Sequence, residues 1–224
     1  MTTNTALITG ASRGLGAAIA RALAPTHDLI LGARSADALT SILAELPGSI
    51  PWPVALTDYE AVAEAAKGID RLDVLVHNAG VADLGTVESS TVDQWRNTLE
   101  VNLIAVAELT RLLLPALRAA NGHVVFINSG AGIRANAGWA SYAASKFGLR
   151  AFADALRIEE PDLRVTSIFP GRIDTDMQRE IVAGEGRDYD PTHFLKASTV
   201  ASAVLHAVET PADAQPVEIV IRPA

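Results

Sequence analysis

Two rhythms of hydrophobic and polar positions alternate along the chain. Short apolar runs at Ala6-Leu7-Ile8, Asp28 to Ala33, Ile50 to Leu56, Leu72 to His77, His123 to Asn128, Leu163 to Phe169 and Val217 to Ile221 each read as a strand. Two prolines weaken the start of the run at Ile50. Between these runs, apolar residues recur at helical spacing. Leu15, Ile19 and Leu23 form one such set, and Leu39, Ile42, Leu43 and Leu46 a second that stops at Pro47-Gly48. Thr57-Asp58 caps a third helix running to about Lys67. Asp93 to Ala119 reads as one long helix burying Trp95, Leu99, Leu103, Val106, Leu109 and Leu113. Ala140 to about Ile158 and Val200 to Val208 complete the set, while residues 176–196 read as polar and irregular. Nothing in the pattern marks a linker, repeat or low-complexity tract. Strands alternating with helices predict a single α/β domain over residues 1–224: a doubly wound parallel sheet of about seven strands, joined by right-handed crossovers, with helices on both faces.

Composition narrows the possibilities. At 224 residues the chain can bury roughly 70% of its unfolded surface in one core. Hydrophobic residues make up 49% and charged residues 20%, which argues against disorder. A net charge of −8 with no basic run argues against nucleic acid or an anionic membrane as partner. The chain has no cysteine, which removes thiolate chemistry and fits a reducing, cytoplasmic setting. Its five histidines show no ligand-like spacing, so no metal is expected. No charged leader precedes an apolar core at the N-terminus, and no apolar run approaches the ~20 residues that span a bilayer.

The chemistry lies after the strands. Gly10-Ala11-Ser12-Arg13-Gly14-Leu15-Gly16 follows the first strand and opens a helix, the arrangement that cradles a phosphate on free N–H groups. The alternative is a plain flexible turn. A dinucleotide site that reads an unphosphorylated ribose places an acid at the end of the second strand. Here Gly32, Ala33, Arg34 and Ser35 stand there instead. Arg34 and Arg13 can meet a 2′-phosphate, although each alone also reads as solvated surface. Asp37 falls in the first turn of the next helix, where it suits the dipole. Asn78-Ala79-Gly80, Ser129 and Pro170-Gly171 also follow strands, so four separate stretches meet along one cleft beyond the carboxyl ends of the sheet. Asn102 sits inside the long helix, where Asn is a poor residue; it is either tolerated on the surface or held for a purpose.

Tyr142 and Lys146 lie one helical turn apart. At ~5 Å and an effective dielectric of about 20, an ammonium favours a phenolate by roughly 3 kcal/mol. That pulls the phenol about two pH units toward neutrality, where it can trade protons. The bland alternative is one core aromatic beside one snorkelling lysine.

Taken together, Thr9 to Gly16, Asn78-Ala79-Gly80, Asn102, Ser129, Tyr142 with Lys146, and Pro170-Gly171-Arg172-Ile173-Asp174-Thr175 resemble the short-chain dehydrogenase/reductase family over essentially the whole chain. The resemblance implies a Rossmann-type fold, a nicotinamide dinucleotide and reversible carbonyl–alcohol chemistry. It implies that Tyr142 transfers the proton, that Lys146 lowers its pKa and binds ribose hydroxyls, that Ser129 holds the substrate oxygen, and that Asn102 holds a water linking Lys146 to solvent. Cofactor contacts are implied at Gly10, Ser12, Arg13, Gly14, Leu15, Gly16, Arg34, Leu56, Asn78, Ala79, Gly80, Tyr142, Lys146, Pro170, Gly171, Ile173 and Thr175, with Arg13 and Arg34 pointing to NADP(H). A homodimer or homotetramer built on helices 93–119 and 140–158 is implied as well.

The chain also departs from the family pattern. Ala55 replaces the acid that contacts adenine, and His77 stands where Asn is common; His77 reads as a hydrogen-bonded strand end rather than a catalytic group. The substrate is expected between 81–86, 131–139 and 172–189 under a short lid at 176–196. Trp139 and Ile133 point to an apolar or aromatic carbonyl compound, unless Trp139 simply packs in the core. The expected function is NADPH-dependent carbonyl reduction. The alternatives are secondary-alcohol oxidation and a non-catalytic, cofactor-binding regulatory role.

Overall fold

The computed structural model describes residues 4–211 and 213–224. Seven parallel strands form one sheet in the order β3-β2-β1-β4-β5-β6-β7. They are β1 (Asn4–Ile8), β2 (His27–Ala33), β3 (Ile50–Pro53), β4 (Val74–His77), β5 (His123–Ile127), β6 (Arg164–Pro170) and β7 (Glu218–Ile221). The helices are α1 (Gly14–Leu23), α2 (Thr40–Glu45), α3 (Tyr59–Ala66), α4 (Val92–Leu99), α5 (Ala105–Ala120), α6 (Ala140–Glu159), α7 (Asp176–Gly184) and α8 (Ala197–Glu209). The doubly wound Rossmann-type architecture expected from the sequence is the one observed.

Alternation along each strand divides the core in two. Ile8, Leu31, Val76, Val125 and Ile168 face α1, α2 and α8, where they meet Ile19, Leu23, Ile42, Val200 and Val204. Leu7, Leu75, Val124, Phe126 and Val165 face α3, α5 and α6, against Val62, Leu109, Leu113, Leu149 and Leu156. The central strands are therefore apolar on both sides, which is why they read as unbroken runs. The prolines of β3 are tolerated because β3 is an edge strand with one partner, β2. It ends at Pro53, short of the expected Leu56.

Strand order reverses at β1, which has β2 on one side and β4 on the other. The following connections leave on opposite faces, and a crevice opens beyond the carboxyl ends of β1 and β4. Among the described residues, no helix is long and apolar enough to cross a membrane.

The structure alters two expected elements. The long helix is not continuous: Glu100–Ile104 is a π-helical turn between α4 and α5. The apolar period runs through both sides of it, but the wider turn rotates Asn102 inward. Asn102 Oδ1 accepts from Val81 N at 2.9 Å, and its Nδ2 donates to Val81 O at 2.9 Å. The 176–196 stretch is not irregular throughout: it carries α7, with Thr175 Oγ1 accepting from Gln178 N at its N-terminus. A smaller difference lies after β2, where Asp37–Leu39 form a 3₁₀ turn before α2.

Candidate active site

The glycine turn is locked from three sides. Ala11 N donates to Gly32 O at 2.9 Å, tying the turn to β2 and setting Arg13 and Arg34 at the same end of the sheet. Thr9 Oγ1 accepts from Asn78 N at 3.0 Å and from Ala79 N at 3.1 Å, while Asn78 Nδ2 donates to Thr9 O and Gly10 O. Gly16 admits no side chain, since a Cβ there would lie 2.1 Å from Gly10 O. Gly14 has φ +56° and faces Thr175. No side chain accepts from the first N–H groups of α1, whose N-cap residue is Arg13. An anion is the partner such a helix start lacks, so this cradle fits a dinucleotide pyrophosphate. Ser12 lies half-buried within the turn and Leu15 beneath it.

Beyond β2, Arg34 is exposed, and Leu56 is part-buried against the core half that faces α3, α5 and α6. Asp58, near Ala55, spends its carboxylate on Ala61 N as the cap of α3. Arg13 is held by Asp176, with Nη1 2.7 Å from Oδ2.

Beyond β5 and β4 a second cluster forms. Ser129 follows β5 and accepts from Ala131 N through Oγ at 3.1 Å. Its hydroxyl lies close enough to Tyr142 to favour the phenolate. Tyr142 lies on α6, its ring packed edge-on against Trp139 at 5.7 Å between centroids. Lys146, one turn on, is buried; Nζ lies 5.7 Å from the Tyr142 ring centre and donates to Ile127 O at 3.0 Å. Asn102 Nδ2 reaches Ser145 Oγ at 3.1 Å, which anchors the π-turn to the same helix. Gly80 keeps the space between Asn102 and Lys146 open: a Cβ there would sit 3.1 Å from Asn102 Oδ1 and 4.0 Å from Lys146 Nζ. Both Asn102 amide hydrogens are engaged by protein, so only Oδ1 retains a free lone pair on this side chain.

Electrostatics at this corner run opposite to the simple charge-pair expectation. Burial raises the Tyr142 pKa, with the Ser129 hydroxyl opposing the shift. Burial lowers Lys146 to about 8. Spacing alone predicts an ammonium that lowers the phenol. In the folded protein, the cost of removing either charge from water is the larger effect. Tyr142 therefore holds its proton at neutral pH.

The third stretch closes the cleft. Gly171 N donates to Ile221 O at 2.7 Å, fixing Pro170-Gly171 to β7. Ile173 pairs with Leu195, and Thr175 caps α7 beside Gly14. The structure thus brings the glycine turn, Asn78-Ala79-Gly80, Ser129, Tyr142, Lys146 and the 170–175 loop around one crevice. His77 does not join them. It is buried, stacked on Phe126 at 5.2 Å and bonded to Thr110 Oγ1 at 2.9 Å through Nε2, and burial pushes its pKa down to about 3.

The short chain dehydrogenase family description matches residues 4–186. The chain belongs to the short-chain dehydrogenase family. As a member it is an oxidoreductase that uses NAD(P)(H) and acts on small molecules. The dehydrogenase is 36% identical over 200 residues to the trans-4-hydroxycyclohexanecarboxylate dehydrogenase of Sinomonas cyclohexanicum, covering 81% of this chain and 77% of that protein. It is 31% identical to dehydrogenase/reductase SDR family member 11 of Gallus gallus, covering 97% of this chain and 95% of that one. Among solved structures it is similar to an alcohol dehydrogenase of the archaeon Thermococcus sibiricus complexed with 5-hydroxy-NADP. The TM-score is 0.89 and the identity 31%, with 99% of this chain and 97% of that chain covered.

The roles of three residues of this dehydrogenase escaped sequence reasoning. Asn128 bridges the Ser129–Lys146 corner, with Oδ1 accepting from Ser129 N at 2.8 Å and Nδ2 donating to Lys146 O at 3.1 Å. A polar residue closing an otherwise apolar strand was its only signal. Thr9 clamps the crevice floor, and Asp176 meets Arg13 from 163 residues away, a contact that no local pattern encodes.

Proposed function

We infer that this dehydrogenase reduces a carbonyl compound to an alcohol with NADPH. The observation that carries the reading is the corner at which a protonated Tyr142, Ser129 and Lys146 converge beside the phosphate cradle. The dinucleotide supplies the hydride when bound; the chain aligns the partners and manages the proton. Ser129 hydrogen-bonds the carbonyl oxygen and fixes its pose. The Tyr142 hydroxyl gives its proton to that oxygen as negative charge develops there. Lys146 ammonium stabilises the phenolate left behind and reaches for ribose hydroxyls. Asn102 braces the Val81 backbone and Ser145, and its remaining lone pair is open to a water that returns a proton. Burial keeps Tyr142 protonated, the form that donates a proton in the reductive direction.

Arg13 and Arg34, with no acid at the end of β2, support the phosphorylated cofactor, as does the NADP analogue in the Thermococcus sibiricus structure. Trp139, with Ile133 and Met177 exposed at 38% and 37%, supports an apolar carbonyl substrate. Ile104 and Phe147, exposed at 48% and 42% on the α5–α6 side, support a homo-oligomer. The cofactor reading is tested by titrating the protein with NADPH and NADH and following nicotinamide fluorescence. NADPH is expected to bind at least about tenfold tighter, with the advantage lost in Arg34→Asp. Tighter binding of NADH would overturn the roles of both arginines.

A further inference from the structure

The glycine turn and the lid share one ion pair. Arg13 is the N-cap residue of α1, at the helix end that receives phosphates. Its guanidinium is taken by Asp176, the first residue of α7, at 2.7 Å. The adjoining residues, Gly14 and Thr175, also face each other, so the pair ties the glycine turn to the start of α7. Arg13 is 65% exposed and Asp176 57%, which places the pair in water and makes it exchangeable. Arg34, the second cation of this end, is exposed as well.

We propose that Asp176 is a specificity-determining residue, a built-in anion that competes with the 2′-phosphate of NADP(H) for Arg13. The proposal rests on the phosphate reading of Arg13. A 2′-phosphate and the Asp176 carboxylate cannot both use the same face of one guanidinium without like-charge repulsion. NADH brings only a ribose hydroxyl to that place, so it leaves the pair intact. Asp176 therefore weakens NADPH selectively, and the preference of the enzyme is lower than its two arginines alone allow.

The test is a fluorescence titration of wild type, Asp176→Asn, Arg13→Gln and the double variant with NADPH and NADH at low salt. In Asp176→Asn, NADPH is expected to bind about two- to fivefold tighter while NADH moves less than about twofold. The gain should disappear in the Arg13→Gln background and shrink as salt screens the exposed charges. A wild type that prefers NADPH with Asp176→Asn unmoved overturns the proposal and leaves the cofactor reading intact. Equal tightening of both cofactors also overturns it, because the effect would then be general field rather than competition. A wild type and an Asp176→Asn variant that both bind the two cofactors equally overturn the cofactor reading and the proposal with it. All four proteins should show the same ligand-free unfolding midpoint, since the pair is exposed.

Discussion

The two ends of the cleft are built on opposite terms. At the proposed catalytic end, Lys146, Asn102, Ser145 and Asn128 are buried and joined by side-chain and backbone hydrogen bonds. At the phosphate end, Arg13, Arg34 and Asp176 stand in water, with one simple ion pair among them. In the buried corner, desolvation decides protonation, and each polar group depends on its partner. At the exposed end, charges are screened and can change partners as a ligand arrives. The difference predicts that equal chemical changes will have unequal effects: large and insensitive to salt at one end, small and salt-dependent at the other.

The largest effect is expected at Lys146. Lys146→Ala should cut kcat/KM for reduction by roughly 10²–10³-fold, because the phenolate loses its countercharge. In the wild type, kcat/KM should fall as pH rises through about 8, where the free enzyme loses the ammonium. The variant should lack that limb; a wild-type profile flat through pH 9 would contradict the assignment.

A middle-sized effect belongs to the buried core. His77 titrates near 6.5 when unfolded and at about 3 when folded. Its contribution is therefore present above pH 6.5 and lost as pH falls toward 3, because only the unfolded chain takes up the proton. Urea unfolding should show about 2 kcal/mol lost between pH 6.5 and 5 on this account. His77→Asn should remove that share of the slope; an unchanged slope would place the titration elsewhere. A smaller effect is that of Arg34→Asp on the NADPH to NADH ratio, about tenfold and diminishing with salt.

Much of this arrangement was legible in the sequence. The strands were legible because both faces of the sheet are covered, so each appears as an apolar run. The glycine turn was legible because backbone collisions at Gly16 leave one residue type. The break at Glu100–Ile104 was hidden, since a π-turn leaves the apolar period of α4 and α5 in place and shifts only its phase. Helix α7 was obscured by its polar exposed face, although Thr175 and Gln178 mark its start. The direction of the Tyr142 shift was misread for a different reason. Spacing along a helix reports the distance to Lys146 but not the water excluded by the surrounding chain, and here that exclusion is the larger effect.

The central claim is that Tyr142 gives the proton in carbonyl reduction. The most direct test compares wild type and Tyr142→Phe for NADPH oxidation at 340 nm with apolar ketones and aldehydes, alongside NADPH affinity. The account predicts a loss of roughly a thousandfold in kcat with NADPH affinity within about twofold of wild type. A Tyr142→Phe enzyme that turns over at a wild-type rate would contradict it.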